Sequence, residues 1–376
     1  MDPQPDFENL RRTLLCEGPP GPVPLFEIFA DPGMVEAVLG EKFPVNLHRY
    51  IEEPDLISSS DELEGLMKSI EMYVRFCRET GYDYVFMVSG FSLPKTFKTA
   101  NDAAGARNWP DGQRYWVSEA GGPIQNWEDF ERFPWPRAED LRHAALEYVN
   151  ALVPDEMKVA AFMYGGVFEN SAPLMGLESF SYALRDQPDL VEAICERVGG
   201  LAAAACEQVT SIDNVEMVFL SDDLGFFSGT LVSPEVIRRY IVPHYKRISE
   251  ITHAAGKVLV FHSCGNVYKM MDDFIDDVGI DAKHSFEDKI VPVDEAYQRW
   301  GDRIAILGGL DMDLLGRGSE EQVRRRTRDI LEVCGARGTG YALGTGNTAA
   351  NYIPKRNYLA MLDEGRRWNR EHFGAA

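Results

Sequence analysis

Eight short apolar runs recur along the chain, with helix-like segments between them. They occupy residues 24–30, 82–89, 158–164, 216–221, 257–262, 280–285, 303–307 and 340–343. Their apolar character is continuous and does not alternate with polar positions, which is typical of strands buried on both faces. The runs therefore predict the parallel strands of an α/β fold.

Several connections between these runs have a helical pattern. Residues 59–80 carry apolar side chains close to every 3.6 positions, with Ser60 and Asp61 at the start and Gly81 at the end. Ser233-Pro234-Glu235 and Ser319-Glu320-Glu321 begin two further predicted helices. Eight strands separated by helices predict a (β/α)8 TIM-type barrel that forms a single domain over residues 1–376. An open doubly wound sheet is the alternative.

The segment 91–142 interrupts this alternation after the second strand. It contains Trp109, Trp116, Trp127 and Trp135, several glycines and prolines, and little periodicity. We interpret it as an insertion within the barrel, containing a hairpin and a possible lid, because long loops in compact domains are often functional. A packed appendage or a contact in a homodimer is the alternative.

Composition restricts the partners of this protein. Hydrophobic residues are 45% of the 376 residues, charged residues are 26%, and the formal net charge is -22. A globular core is therefore expected, while the excess of acid argues against nucleic acid or an anionic membrane as a partner. The six cysteines show no disulfide framework, and neither a signal segment nor a membrane span is evident. We expect a cytoplasmic protein.

Polar residues gather at the ends of the predicted strands, where a TIM barrel carries its active site. The candidates, in chain order, are Glu27, Tyr164, Glu169, Asp222, Asp223, His262, Cys264, His284, Asp311, Thr345 and Asn347. His262 and Cys264 are the most informative of these, because an imidazole and a thiol two residues apart can reach one zinc ion.

Each candidate also has a purely structural interpretation. His262 alone could be a core histidine, and Asp222 and Asp223 could bond only to loop amides. Lys283 and Asp288 suggest that His284 lies in an ordinary solvated turn. The 344–347 loop could hold an anion with its amides or serve only as a turn.

The order of several motifs resembles the uroporphyrinogen decarboxylase superfamily, over roughly the whole chain after residue 20. The motifs are Gly176-Leu177-Glu178-Ser179, Asp186-Gln187-Pro188-Asp189-Leu190-Val191, Asp222-Asp223-Leu224-Gly225, Ser233-Pro234-Glu235, Pro243-His244-Tyr245, His262-Ser263-Cys264-Gly265-Asn266 and Gly308-Gly309-Leu310-Asp311. The resemblance implies a (β/α)8 barrel, in agreement with the strand count.

That superfamily has two broad branches. Its decarboxylases carry an Arg-Gln-Ala-Gly-Arg motif after the first strand and a histidine in the last strand loop. This chain has no arginine in residues 29–34 and has Thr345 in the last loop. The other branch comprises corrinoid-dependent enzymes, including methylcobamide:thiol methyltransferases, which hold zinc with a His-x-Cys pair and a later cysteine. His262 and Cys264 match the pair, whereas the later cysteine would align near Thr345 and is absent.

The resemblance favours a methyltransferase. Zinc on His262 and Cys264 would activate an acceptor thiol or polarise a methoxy oxygen, with Asp222, Asp223 or Glu169 as a further oxygen ligand. Asp222, Asp223 and Tyr164 are the expected catalytic residues. The residues expected to bind the small-molecule substrate are Glu27, Glu169, His284, Asp311, Thr345 and Asn347.

The expected methyl carrier is a corrinoid (cobalamin-type) group, either as a substrate or on a partner protein. Two alternatives stay open at this point. One is a decarboxylase of a uroporphyrinogen-like tetrapyrrole, in which Asp222 or Asp223 would stabilise a protonated pyrrole. The other is a non-catalytic tetrapyrrole-binding homologue, which the Thr345 substitution motivates.

Overall fold

A curled, parallel seven-stranded sheet forms the centre of the molecule in a computed structural model that describes residues 4–45, 59–101, 113–163 and 165–374. In chain order its strands are β1 (Tyr84–Ser89), β4 (Lys158–Met163), β5 (Val215–Ser221), β8 (Val258–His262), β9 (Ala282–His284), β10 (Ala305–Leu307) and β11 (Tyr341–Ala342). Neighbours in the sheet follow this same order, and every pairing is parallel. The prediction of an α/β fold is confirmed, and the curled sheet is consistent with a TIM-like barrel.

The first predicted strand, residues 24–30, differs from a regular strand. It makes isolated parallel bridges from Leu25 to Leu343 and from Ala30 to Ala349, beyond the end of β11. Toward β1, the Tyr84 hydroxyl donates to the Glu27 carbonyl at 2.6 Å and accepts from the Glu27 amide at 2.9 Å. Pro24 has no N–H to donate, which limits a continuous ladder here. An extended segment with few bridges therefore lies where an eighth strand was predicted.

The helices cover the sheet and connect its strands. The described α-helices are α1 (Phe7–Leu14), α2 (Pro32–Leu39), α3 (Ser60–Glu79), α4 (Trp127–Arg132), α5 (Ala144–Leu152), α6 (Phe168–Met175), α7 (Leu177–Asp186), α8 (Pro188–Thr210), α9 (Pro234–Tyr240), α10 (Val242–Ala254), α11 (Val293–Trp300), α12 (Met312–Arg317), α13 (Glu320–Ile330) and α14 (Lys355–Phe373). Shorter turns occupy Ala138–Asp140, Tyr268–Met270, Asp273–Val278 and Leu331–Gly335. The three predicted helices are confirmed, and Ser233 and Ser319 cap two of them with the side-chain oxygen. The cap of the other helix is Ser59, one residue before the predicted Ser60 and Asp61.

The segment 91–142 contains an antiparallel hairpin of β2 (Phe97–Asn101) and β3 (Gln113–Val117), followed by α4. Trp109 lies outside the described residues. The later part of the segment is fixed to the barrel helices: Ile124 N donates to Leu174 O at 2.8 Å, and Gln208 Nε2 donates to Ala138 O at 2.8 Å. Its role as an inserted lid stays a prediction.

The interior of the sheet is filled by aromatic side chains. Phe26, Phe86, Phe162 and Phe219 contact one another, with ring centroids 4.7 to 6.1 Å apart. The Phe219 ring lies 5.9 Å from the ring of His262. These rings form an apolar layer beneath the polar strand ends.

None of the described helices is long and apolar enough to cross a membrane.

Candidate metal centre

Three potential metal ligands meet where β5 and β8 end. Asp223 follows β5, His262 is the last residue of β8, and Cys264 lies two residues further on. Their ligand atoms all lie within 4.8 Å of one another. His262 Nε2 is 3.4 Å from Cys264 Sγ and 3.6 Å from Asp223 Oδ1. Neighbouring parallel strands end at the same edge of the sheet, which brings together residues about 40 positions apart in the chain.

The backbone of the loop keeps the thiol beside the carboxylate. The Cys264 amide donates to Asp223 Oδ1 at 2.8 Å. Behind it, the Leu224 amide donates to the Ser263 hydroxyl at 3.0 Å, and the Asp222 amide donates to the His262 carbonyl at 3.0 Å. Three hydrogen bonds therefore join the loop after β5 to the loop after β8.

A second imidazole orients His262. The Nδ1 atoms of His262 and His284 are 3.0 Å apart, and the two rings are stacked with centroids 5.2 Å apart. Burial and nearby positive charge lower the pKa of His262 well below its usual value and that of His284 to about 3, so both rings are neutral. Only one of the facing nitrogens can then carry a proton. With that proton on His262 Nδ1, Nε2 keeps a lone pair toward Cys264 and Asp223.

The Cys264 sulfur is a thiol in this environment. Burial and the Asp223 carboxylate raise its pKa to about 12, while hydrogen bonds from Ser285 and Asn347 act in the opposite direction. Asn347 Nδ2 lies 3.3 Å from the sulfur and Ser285 Oγ lies 3.9 Å from it. A cysteine nucleophile is activated as a thiolate beside a positively charged imidazole, whereas here a neutral imidazole lies beside a protonated thiol. A bound cation would instead favour the thiolate, so the donor set suits zinc.

Asp222 has a different environment from its neighbour. It is 0% exposed, and its carboxylate accepts from the amides of Val167, Phe168 and Glu169 at 2.7 to 2.8 Å and from the Tyr245 hydroxyl at 2.6 Å. Burial raises its pKa to about 6, and these four hydrogen bonds oppose that shift. Four donors use the acceptor capacity of the two oxygens. Asp222 therefore anchors the start of α6, whereas the Asp223 side chain is 41% exposed.

Glu169 connects this anchor to the candidate ligands. Its Oε2 accepts from the Asp223 amide at 3.0 Å. Burial and the charges of Asp222 and Asp223 raise its pKa to about 8. Its carboxyl group therefore helps to hold the backbone of the loop that carries Asp223.

The remaining predicted residues are distributed around this group. Glu27 and Thr345 are buried together, with the Thr345 hydroxyl donating to Glu27 Oε1 at 2.8 Å. Asp311 caps α12 by accepting from the Leu314 amide at 2.8 Å. Tyr164 lies outside the described residues. The last loop thus contacts the Cys264 sulfur through Asn347, while Thr345 faces the first extended segment.

Two residues near the site were not identified from sequence. The interpretation that Lys283 and Asp288 place His284 in a solvated turn is wrong, because Lys283 and His284 are both 0% exposed. A lysine in the middle of a strand-length run was the available signal. Ser285 adopts a positive φ of 82°, and no sequence pattern indicated it.

The fold and the site together define an α/β protein of the TIM-like barrel class, with a thiol, an imidazole and a carboxylate converging at its strand ends. The chain belongs to the uroporphyrinogen decarboxylase family, whose family model matches residues 109–368. None of the curated proteins searched shows significant sequence similarity to this chain.

Solved structures share the fold. A methyltransferase from Methanosarcina mazei superimposes with a TM-score of 0.68 at 17% identity, covering 96% of this chain and 98% of its own. A B12-independent methionine synthase from Shewanella sp. W3-18-1, in complex with selenomethionine, gives 0.51 at 12% identity, covering 96% and 100%. Identities this low establish a common fold alone.

Proposed function

We propose that this protein is a methyltransferase that moves a methyl group between a methylcobamide, or a small methyl donor, and an acceptor thiol. The observation that carries this proposal is the convergence of Asp223, His262 and Cys264 at the barrel edge. The family membership and the fold shared with a methyltransferase support it.

The proposed metal is zinc, held by Cys264 Sγ, His262 Nε2 and a carboxylate oxygen of Asp223. Zinc bound there would lower the pKa of an acceptor thiol or polarise a donor oxygen. Asp223 would supply the third ligand, in place of the later cysteine that the resemblance to the superfamily implies. Its carboxylate already lies beside the Cys264 amide and the His262 ring.

The residues around these ligands have supporting roles in the proposal. His284 holds the His262 proton on Nδ1, which leaves Nε2 free for the metal. Asn347 donates to the Cys264 sulfur and would reduce the basicity of the thiolate. Asp222 holds the loop, so Asp223 is the member of the acidic pair that faces the reaction. Tyr164 stays a predicted substrate contact.

An apolar rim supports a corrinoid as the second reactant. A short hairpin of β6 (Gly225–Phe226) and β7 (Gly229–Thr230) follows Asp223 and exposes the rings of Phe226 and Phe227. The Asn266 amide donates to the Phe226 carbonyl at 2.8 Å, which fixes this hairpin to the Cys264 loop. Exposed aromatic rings beside a polar centre suit a large, partly apolar macrocycle.

The decarboxylase alternative has less support. Asp222, one of the two acids that could stabilise a protonated pyrrole, is fully buried and bonded to four donors. Uroporphyrinogen therefore serves as the comparison substrate in the assay below.

The test is a methyl-transfer assay of the zinc-loaded protein with methylcobalamin and a panel of thiols, namely 2-mercaptoethanol, homocysteine and glutathione. The cobalt–carbon bond breaks with its electron pair left on cobalt, a sulfur–carbon bond forms, and the thiol proton is released. We expect zinc-dependent loss of the methylcobalamin absorption and formation of a thioether with at least one thiol. Turnover of uroporphyrinogen without any thioether would contradict the proposal.

The high pKa of Cys264 also predicts how pH affects metal binding. The thiol must lose its proton to bind a metal, so acid competes with the metal at every pH below about 12. His262 is already neutral and releases none. Because this thiol releases one proton on binding, we expect the apparent zinc affinity to rise about tenfold for each unit of pH increase between roughly pH 6 and 8. Calorimetry in buffers of different ionisation enthalpy should give one proton released per zinc, and an affinity independent of pH would contradict Cys264 as a ligand.

A further inference from the structure

Lys283 is a buried cation without a role in the mechanism proposed above. It is the middle residue of β9 and is 0% exposed. Its Nζ donates to the backbone carbonyls of Ser263, His284 and Ser285 at 3.3, 2.9 and 3.0 Å. It also lies 4.8 Å from the centre of the Phe286 ring. These contacts offset the cost of removing the ammonium group from water.

One of the three carbonyls belongs to His284, the last residue of β9, and the other two belong to the loops that follow β8 and β9 beside the candidate metal centre. Ser263 lies between His262 and Cys264 in the loop after β8. Ser285 follows β9 and is held in the left-handed region, with φ of 82°, which costs a non-glycine residue about 1 kcal/mol or more. In this conformation its hydroxyl lies 3.9 Å from the Cys264 sulfur and 3.4 Å from the Gly346 carbonyl.

We propose that Lys283 is a positioning residue that clamps the ends of β8 and β9 and holds Ser285 in its left-handed conformation, so that Cys264 and its hydrogen-bond donors stay in place at the candidate metal centre. This inference rests on the proposed metal site. Without the ammonium group, three buried carbonyl oxygens would lose their shared donor. Ser285 could then relax to negative φ and carry its hydroxyl away from the sulfur.

Cobalt(II) binding tests the clamp, because the absorption of a thiolate–cobalt centre reports the geometry at sulfur. Lys283→Met is expected to weaken cobalt binding about tenfold or more, as changes behind a metal ligand usually do, and to shift the sulfur-to-cobalt band. Lys257→Met is the matched control, since Lys257 pairs with Glu216 just before β8, at the opposite end of the strand. Its cobalt affinity and spectrum should equal those of the wild type.

Two double variants separate the strain from the loss of the hydroxyl. Each double variant combines Lys283→Met with a change at Ser285, either to glycine or to alanine. Both lack the Ser285 hydroxyl, but only glycine adopts φ of 82° without cost. The glycine variant should therefore bind cobalt about fivefold more tightly than the alanine variant, as expected for relief of about 1 kcal/mol of strain. Equal affinities of the two double variants, or a Lys283→Met protein with wild-type affinity and spectrum, would overturn the inference.

A measurement without metal keeps the inference testable if Lys283→Met does not fold. In the otherwise unchanged chain, Ser285→Gly should unfold about 1 °C or more above Ser285→Ala, because only alanine keeps the backbone strain. Equal unfolding temperatures would overturn the inference. A wild-type protein that binds no cobalt but shows this difference would contradict the proposed function, while the strained left-handed conformation of Ser285, on which the inference depends, would stand.

Discussion

Replacement of Cys264 by alanine is expected to abolish stoichiometric zinc binding and to reduce methyl transfer by about a thousandfold or more. The variant removes the softest of three converging ligands and leaves an imidazole and a carboxylate, which bind zinc far more weakly. The measurement is zinc content by mass spectrometry after dialysis, together with the methylcobalamin assay.

Cys16→Ala is the matched control for this experiment. Cys16 is also a free, half-buried thiol, and its pKa is likewise raised, to about 11, mainly by burial. Its replacement should leave both the zinc content and the activity unchanged. Full zinc occupancy in the Cys264→Ala protein would contradict the assigned ligand set.

The two adjacent aspartates are expected to give opposite phenotypes when each is changed to asparagine. Asp222→Asn should lower the free energy of unfolding by about 3 kcal/mol, because one amide oxygen cannot accept from four buried donors and the new NH2 group faces some of them. Asp223→Asn should cost less than about 1 kcal/mol, since its side chain is partly exposed and an amide oxygen can still accept from the Cys264 amide.

The effects of the two variants on zinc affinity should rank in the opposite order to their effects on stability. Asp223→Asn removes a charged ligand and should lower zinc affinity about a hundredfold, whereas folded Asp222→Asn protein should keep most of its affinity. Denaturant unfolding and zinc titration of both variants provide the measurements. Similar unfolding midpoints for Asp222→Asn and the wild type would contradict the anchoring role of Asp222.

Much of the fold was readable from local patterns. Continuous apolar runs located the seven strands of the sheet, and capping residues located two helix starts correctly and a third to within one residue, because burial on both faces and capping leave local signatures. The run 24–30 was the exception. Its apolar residues predicted a strand, but its position between β11 and β1 gives it isolated bridges and side-chain bonds.

The ligand pair was also visible in the sequence, while its surroundings were not. His262 and Cys264 are two residues apart after an apolar run, so their proximity is a local property. Lys283 resembled a surface lysine by residue type, yet its ammonium group finds three carbonyls that only the ends of two adjacent strands bring together. Such a set of acceptors has no signature in a single segment.

The sequence by itself determined the α/β class, the edge of the sheet that carries polar residues, and the thiol–imidazole pair. Only the tertiary structure decided that Asp223 faces this pair while Asp222 is enclosed, and that Asn347 reaches the sulfur while Thr345 turns to Glu27. The reason is geometric: adjacent residues at a strand end point in different directions, and the path of the chain around the barrel selects which of them meets a distant partner.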